Sequence, residues 1–146
     1  MEQALGEFEH LNAGDPSIAM MQMDGAFAIG DFDAALKWID VIDKAVGGDP
    51  WQDANRAVAY LNKGELDKAA QHVDSALKQE PTLQRAWEVK LDVSIVRKQW
   101  ADAVAAMSEL ETKFGIKFDE VKLRAKPAMT EFVATPEFKQ WLTTRK

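Results

Sequence analysis

The 146-residue sequence contains no cysteine, which excludes disulfide bonds, zinc–thiolate sites and a cysteine nucleophile. Only five prolines and eight glycines are present, while alanine, leucine, lysine and glutamate are common, so helix is favoured. No apolar run approaches the roughly 20 residues of a membrane span, and the first residues are acidic where a signal peptide is basic. We therefore expect a soluble, all-α protein without membrane insertion. The cytoplasm is favoured over the periplasm, although a lack of cysteine does not fix the compartment.

Positive charge is in the minority. The chain has 18 basic and 24 acidic side chains, a formal charge of -6 and a pI near 4.9. Nucleic-acid-binding proteins usually present a basic stripe, and the few cations at the end of this chain, Lys139, Arg145 and Lys146, are expected to be solvated. The composition predicts no nucleic-acid partner.

An internal repeat of 34 residues is the strongest pattern in the sequence. Gly14-Asp15-Pro16 recurs as Gly48-Asp49-Pro50, and the same spacing separates Gly30 from Gly64. Two further series stay in phase over three copies, one large and apolar and one of alanine: Phe32, Leu66 and Trp100, and Ala35, Ala69 and Ala103. A period of this length is typical of a helical repeat protein.

Each copy reads as two helices joined by a tight turn. Asp15 and Asp49 are good N-caps, and the proline after each one suits the first position of a helix. Gly30 and Gly64 then end the first helix because they tolerate a positive φ. In the third copy Lys98 replaces the glycine, so that turn is either strained or differently shaped. The second helices are predicted at about 31–46, 65–79 and 100–114.

The residues at fixed places in this period resemble the tetratricopeptide-repeat (TPR) family, in particular its compact bacterial members. The matching residues are Tyr60, Gly64, Ala69, Ala76, Leu77, Pro81 and Trp87. The resemblance implies one all-α domain, a right-handed α-solenoid of three TPR hairpins at 16–49, 50–83 and 84–117, with flanking capping helices.

The two ends do not form complete repeats. Residues 1–15 have the phase of a second helix, with Leu5 and Phe8 at positions that should be buried. They are either a natural cap or the start of a piece cut from a longer solenoid, and the second interpretation is favoured. Residues 118–146 are predicted to be capping helices, broken near Pro127 and restarted by Thr135-Pro136.

The resemblance also implies a binding surface. In this family the first helices line a concave groove that holds a protein or peptide partner. The groove positions carried over to this sequence are Phe27, Trp51, Asn55, Val58, Leu61, Asn62, Arg85, Asp92 and Ile95, with Trp51 at the edge. At helical spacing the apolar members, such as Leu61 and Ile95, could equally belong to the core. Chaperone-binding members grip a terminal carboxylate at places that are here Met20, Asp24, Asn55, Arg85 and Val89. Since only Asn55 and Arg85 suit a carboxylate, such a clamp is not expected.

We therefore expect a protein-interaction scaffold and not an enzyme. The two histidines lie on separate second helices without carboxylates at metal-ligand spacing, so no catalytic residue, metal site or cofactor is predicted. The alternative is a self-associating or docking segment of a larger protein that has no ligand of its own, and homo-oligomers are possible under either interpretation.

Overall fold

A computed structural model describes residues 15–145, and this part of the chain contains only helices, turns and loops. The N-terminal half-repeat predicted for residues 1–15 lies, apart from Asp15, outside the described residues. Nine α-helices and one 3-10 turn make up the described part. They are α1 (Pro16–Ile29), α2 (Phe32–Val46), α3 (Pro50–Asn62), α4 (Leu66–Gln79), α5 (Gln84–Val96), α6 (Trp100–Phe114), α7 (Glu120–Ala125), the 3-10 turn (Pro127–Met129), α8 (Thr130–Val133) and α9 (Pro136–Thr144).

The helix starts and ends follow from side-chain capping and backbone conformation. The carboxylates of Asp15 and Asp49 accept hydrogen bonds from the backbone N–H groups of Ser17 and Trp51, each at 2.8 Å. These bonds satisfy donors that the first turn of a helix leaves free. Gly30 ends α1 with a φ of 75°, a conformation that glycine adopts without steric cost. The caps predicted from the sequence are confirmed.

The third hairpin turn has the same shape as the second although it lacks glycine. The N–H of Gly64 donates to the carbonyl of Leu61 at 3.1 Å, and the N–H of Lys98 donates to that of Ile95 at 3.1 Å. Lys98 must therefore take a φ of 57°, and it is the only non-glycine residue in the described part of the chain with a positive φ. The turn is strained and not differently shaped.

Replacing Lys98 with glycine should raise the free energy of unfolding by about 0.5–1 kcal/mol, since the left-handed conformation costs a residue with a Cβ more than glycine loses in chain entropy. Urea unfolding followed by circular dichroism measures the change. Lys98→Ala is the control, because it removes the exposed ion pair with Glu131 but keeps the Cβ. A gain in the alanine variant equal to that in the glycine variant would contradict strain as the cause.

Small side chains allow the two helices of each hairpin to approach closely. Ala35, Ala69 and Ala103 are each 0% exposed and lie in α2, α4 and α6. These helices pack against α1, α3 and α5, and each hairpin then packs against the next. The predicted solenoid of three hairpins is observed.

The C-terminal helices close one end of the stack. Phe132 of α8 and the α9 residues Phe138 and Trp141 share a buried cluster with residues of α5 and α6, including Ile95 and Met107. The helix predicted before Pro127 ends at Ala125, and the proline starts the 3-10 turn. The predicted restart is also present, because Thr135 Oγ1 accepts a hydrogen bond from the N–H of Phe138 at 3.2 Å.

Candidate functional site

A groove of about 570 Å³ lies between the first helices of the first two hairpins. The helices α3 and α5 pack more closely than α1 and α3 do, so the stack is open between α1 and α3. The residues that line the groove come from all three first helices: Met20, Met23, Asp24 and Phe27 of α1, Trp51, Asn55 and Val58 of α3, and Arg85 of α5.

The floor of the groove is a buried amide beside a thioether. Asn55 is 8% exposed, and its Nδ2 lies 3.3 Å from Gln52 Oε1 and 3.9 Å from Met23 Sδ. Gln52 is itself buried. A buried amide whose Nδ2 donates to a defined acceptor keeps a fixed orientation, so Asn55 can present its polar group to a ligand without first losing rotamer freedom.

The walls are large and apolar, and part of their surface faces water. Met20 and Trp51 are each 45% exposed, and Phe27 and Val58 are half-buried. The ring of Phe27 makes an edge-to-face contact with Phe32 at 6.1 Å between centroids, which fixes its position. Exposed apolar side chains that converge on one concavity are typical of a binding site and not of a solvated helix face.

Opposite charges stand among these apolar residues. Asp24 is exposed, and Arg85 is half-buried. The guanidinium of Arg85 has only a long contact with Glu88, 3.8 Å between Nη1 and Oε2, and both side chains are solvated. Because an exposed pair of this kind contributes little, Arg85 can exchange Glu88 for a ligand at small cost.

Five of the nine residues predicted for the groove line it, namely Phe27, Trp51, Asn55, Val58 and Arg85. The other four lie elsewhere. Leu61 packs half-buried against the cluster that contains Ala57, and Asn62 is exposed, with Nδ2 donating to the carbonyl of Val58 at 2.8 Å.

Asp92 and Ile95, both on α5, complete the set. Asp92 is exposed, yet the surrounding protein removes enough water to raise the pKa of its carboxyl, while the positive charges of Arg85 and Lys126 act in the opposite direction. Ile95 is only 8% exposed and packs in the C-terminal core. It is therefore a core residue and lies outside the groove, because the capping helices cover this end of α5.

Of the other three lining residues, Met20 and Asp24 are places named above for the carboxylate clamp, and only Met23 was absent from the prediction. Its counterparts one and two repeats later, Ala57 and Leu91, are core residues, so the repeat pattern assigns Met23 to the core as well. It is indeed 4% exposed. Its long, flexible side chain nevertheless reaches the floor of the groove, and the only sequence signal is the unusual frequency of methionine in α1.

The fold has a clear counterpart among solved structures. The TPR2B domain of yeast Sti1, in a complex with pHsp70, matches with a TM-score of 0.63 over 89% of this chain and 98% of that chain. The chain has the tetratricopeptide-repeat fold. At 19% sequence identity this likeness shows the fold alone. No family model matches the sequence, and the search of curated proteins finds no similar one.

The TPR groove of this chain does not suit a carboxylate clamp. Val89 is 1% exposed and cannot reach a ligand, and Asp24 places negative charge on the groove. A peptide carboxylate would meet only Asn55 and Arg85 as favourable groups, with Asp24 repelling it.

Two features of other kinds of site, a cluster of metal ligands and a membrane-spanning helix, are absent from residues 15–145. No three side chains of His, Asp or Glu there are placed to hold a metal ion. His72 of α4 stacks on Tyr60 of α3, with 5.3 Å between ring centroids and 9° between planes, and this contact contributes to packing within the second hairpin. None of the helices in the same part of the chain combines the length and the apolar character that a bilayer crossing requires.

Proposed function

We propose that this chain is a protein-interaction module that binds a peptide segment of another protein in the groove between α1 and α3. The observation that carries the proposal is the convergence of exposed apolar side chains, Met20 and Trp51 above all, on a preformed cavity with a polar floor. A preformed site of this kind loses little entropy when it binds.

The walls favour a peptide with a large apolar side chain as its anchor. Phe27, Trp51 and Val58 can surround such a side chain and remove its surface from water. Tryptophan is among the residues that contribute most at protein interfaces, and methionine adapts to side chains of different shape. Asn55 at the floor would form a hydrogen bond with a backbone or side-chain polar group of the same segment.

The charges favour a neutral or basic segment. Asp24 lines the groove, and two further acids, Glu88 and Asp92, follow Arg85 on α5 outside the lining. A cationic residue beside the apolar anchor would meet Asp24, and an acidic one would be repelled by it. The yeast Sti1 domain supports a partner of the peptide class in general through its complex with pHsp70, but Asp24 in the groove of this chain favours a different peptide.

Selection from a displayed random-peptide library tests the proposal. The purified chain should enrich peptides with a bulky apolar residue and a nearby lysine or arginine. Trp51→Ala should weaken the binding of an enriched peptide by about tenfold or more, measured by fluorescence anisotropy, since truncation of a large aromatic contact residue typically costs about 1–2 kcal/mol or more.

The matched control is Val121→Ala, which trims another exposed apolar residue, 76% exposed, on α7 outside the groove. Its affinity should stay within twofold of the parent chain. Equal affinity in all three proteins, with circular dichroism showing intact helices, would place the binding site elsewhere. A chain that enriches no peptide but sediments as concentration-dependent oligomers would support the self-associating alternative.

A further inference from the structure

One face of α1 is exposed where the equivalent faces of α3 and α5 are buried. Met21 is 72% exposed, whereas the residues 34 and 68 positions later, Asn55 and Val89, are 8% and 1% exposed. Gly25 is likewise exposed, and its counterparts Ala59 and Val93 are 0% and 2% exposed. Within residues 15–145, this face of α1 is therefore uncovered, whereas the equivalent faces of α3 and α5 are both covered.

The covering element in the later copies is the second helix of the preceding hairpin. Val73 of α4 belongs to the same buried cluster as Val89 and Val93 of α5. A cover for Met21 and Gly25 should thus be a helix that carries a large apolar residue at the place of Val73.

The composition of α1 supports the need for a cover. Asp24 is its only charged residue, and Met20, Met21 and Ile29 are all exposed apolar side chains. A helix that is apolar on more than one face is normally buried on more than one face. The contact with α2 satisfies only one of them.

We propose that residues 2–12 of this chain are that cover, acting as the second helix of an incomplete first hairpin. Leu5 and Phe8 stand 34 residues before Ile39 and Ile42, which are 0% and 2% exposed. Positions 73 and 107, further along the same series as Leu5, are also 0% exposed. Among the described second helices, no series of equivalent positions is buried more consistently than the series of Ile39, Val73 and Met107.

The length of the segment and the spacing of its apolar and polar residues fit the role. Eleven helical residues would extend about 16 Å, compared with about 21 Å for the 14 residues of α1. Gln3 has exposed counterparts in Lys37, Gln71 and Ala105, so the segment combines an apolar face with a polar one. This proposal does not depend on the peptide groove, since Met21 and Gly25 do not line it.

The absence of cysteine makes disulfide trapping a clean test. The pair Leu5→Cys and Met21→Cys reproduces, two repeats earlier, the relation between Val73 and Val89. In the full-length chain under mild oxidation, this pair should form an intramolecular disulfide with loss of both free thiols. The control pair, Gln3→Cys with Met21→Cys, should keep its thiols because position 3 belongs to the exposed series.

Each outcome of this test either supports the proposal or overturns it. A fast-migrating monomer on a non-reducing gel for the first pair only supports the proposal. A disulfide-linked dimer would assign the face to a second copy of the chain, and no disulfide, or equal disulfide in both pairs, would show that residues 2–12 do not cover α1. Circular dichroism of the reduced variants establishes that they fold. The groove peptide should still bind the disulfide-locked chain, which separates this test from that of the proposed function.

Discussion

Replacing Arg56 with methionine should lower the free energy of unfolding by about 3 kcal/mol, because the change leaves two half-buried carboxylates without their cation. Arg56 lies on α3 with its side chain 14% exposed, and it pairs with Asp40 and Asp43 of α2 and with Asp53. Asp43 and Asp53 are 20% and 16% exposed. The guanidinium therefore joins the first hairpin to the second.

The surroundings explain why the loss should be large. Burial alone would lower the pKa of Arg56, but hydrogen bonds to Asp40 and Asp43 raise it above its ordinary value. Oδ1 of Asp43 is buried and has no hydrogen-bond partner, so this carboxylate already depends on Arg56 for compensation. The expected cost lies at the lower end of the range for buried pairs because Asp40 is 65% exposed.

Urea unfolding gives the free energy, and Arg97→Met is the matched control. Arg97 pairs with Asp67, which is 93% exposed, so the control should lose no more than about 1 kcal/mol. Adding Asp43→Asn to Arg56→Met should recover part of the loss, since it removes the stranded charge. Equal losses in the two arginine variants would mean that the cluster around Arg56 is no different from a surface ion pair.

A second large effect is expected at the C-terminal end. Phe132→Ala should cost about 3–5 kcal/mol, the range for deleting a buried aromatic ring. Phe132 is 0% exposed, contacts Phe138 edge to face at 5.2 Å and stacks on Trp100 at 5.8 Å. Its helix α8 has only four residues, so local backbone bonds cannot hold the cap in place without the ring.

Hydrogen exchange locates this damage. Because repeat units contact mainly their neighbours, amides of α5 and α6 should lose more protection than those of α1 and α2. The control Val121→Ala, on the exposed side of α7, should stay within about 0.5 kcal/mol of the parent chain. Uniform loss of protection along the chain would show that the hairpins unfold as one unit and not in a graded way.

The fold could be read from the sequence because its determinants are local and recur. Proline after aspartate sets the starts of α1 and α3, and glycine at positive φ ends the first helices of the first two hairpins. The same turn in the third copy has no glycine, and only the structure shows that Lys98 is forced into the same conformation. Hydrogen bonding and packing on either side of Lys98 outweigh its own preference.

The groove was harder to predict because position in a repeat does not say what covers it. Phe27, Leu61 and Ile95 are equivalent by the period of 34, yet only Phe27 lines the groove. Ile95 is buried with Met129 and Phe132 of the capping segment, whose sequence does not follow the repeat. Contacts between distant segments determine which of these equivalent residues is covered, and the 34-residue repeat pattern does not reveal such contacts.

Nitrogen–proton NMR of the five tryptophan indoles during titration with a selected peptide tests directly whether the concave groove holds the ligand. Trp51 lines the groove, while Trp141 packs in the C-terminal core. If the groove binds the peptide, the indole signal of Trp51 and the amide signals of Phe27 and Val58 will shift, and the indole signal of Trp141 will not. Shifts that gather on α9 or on the second helices, with Trp51 unchanged, would contradict binding in the groove.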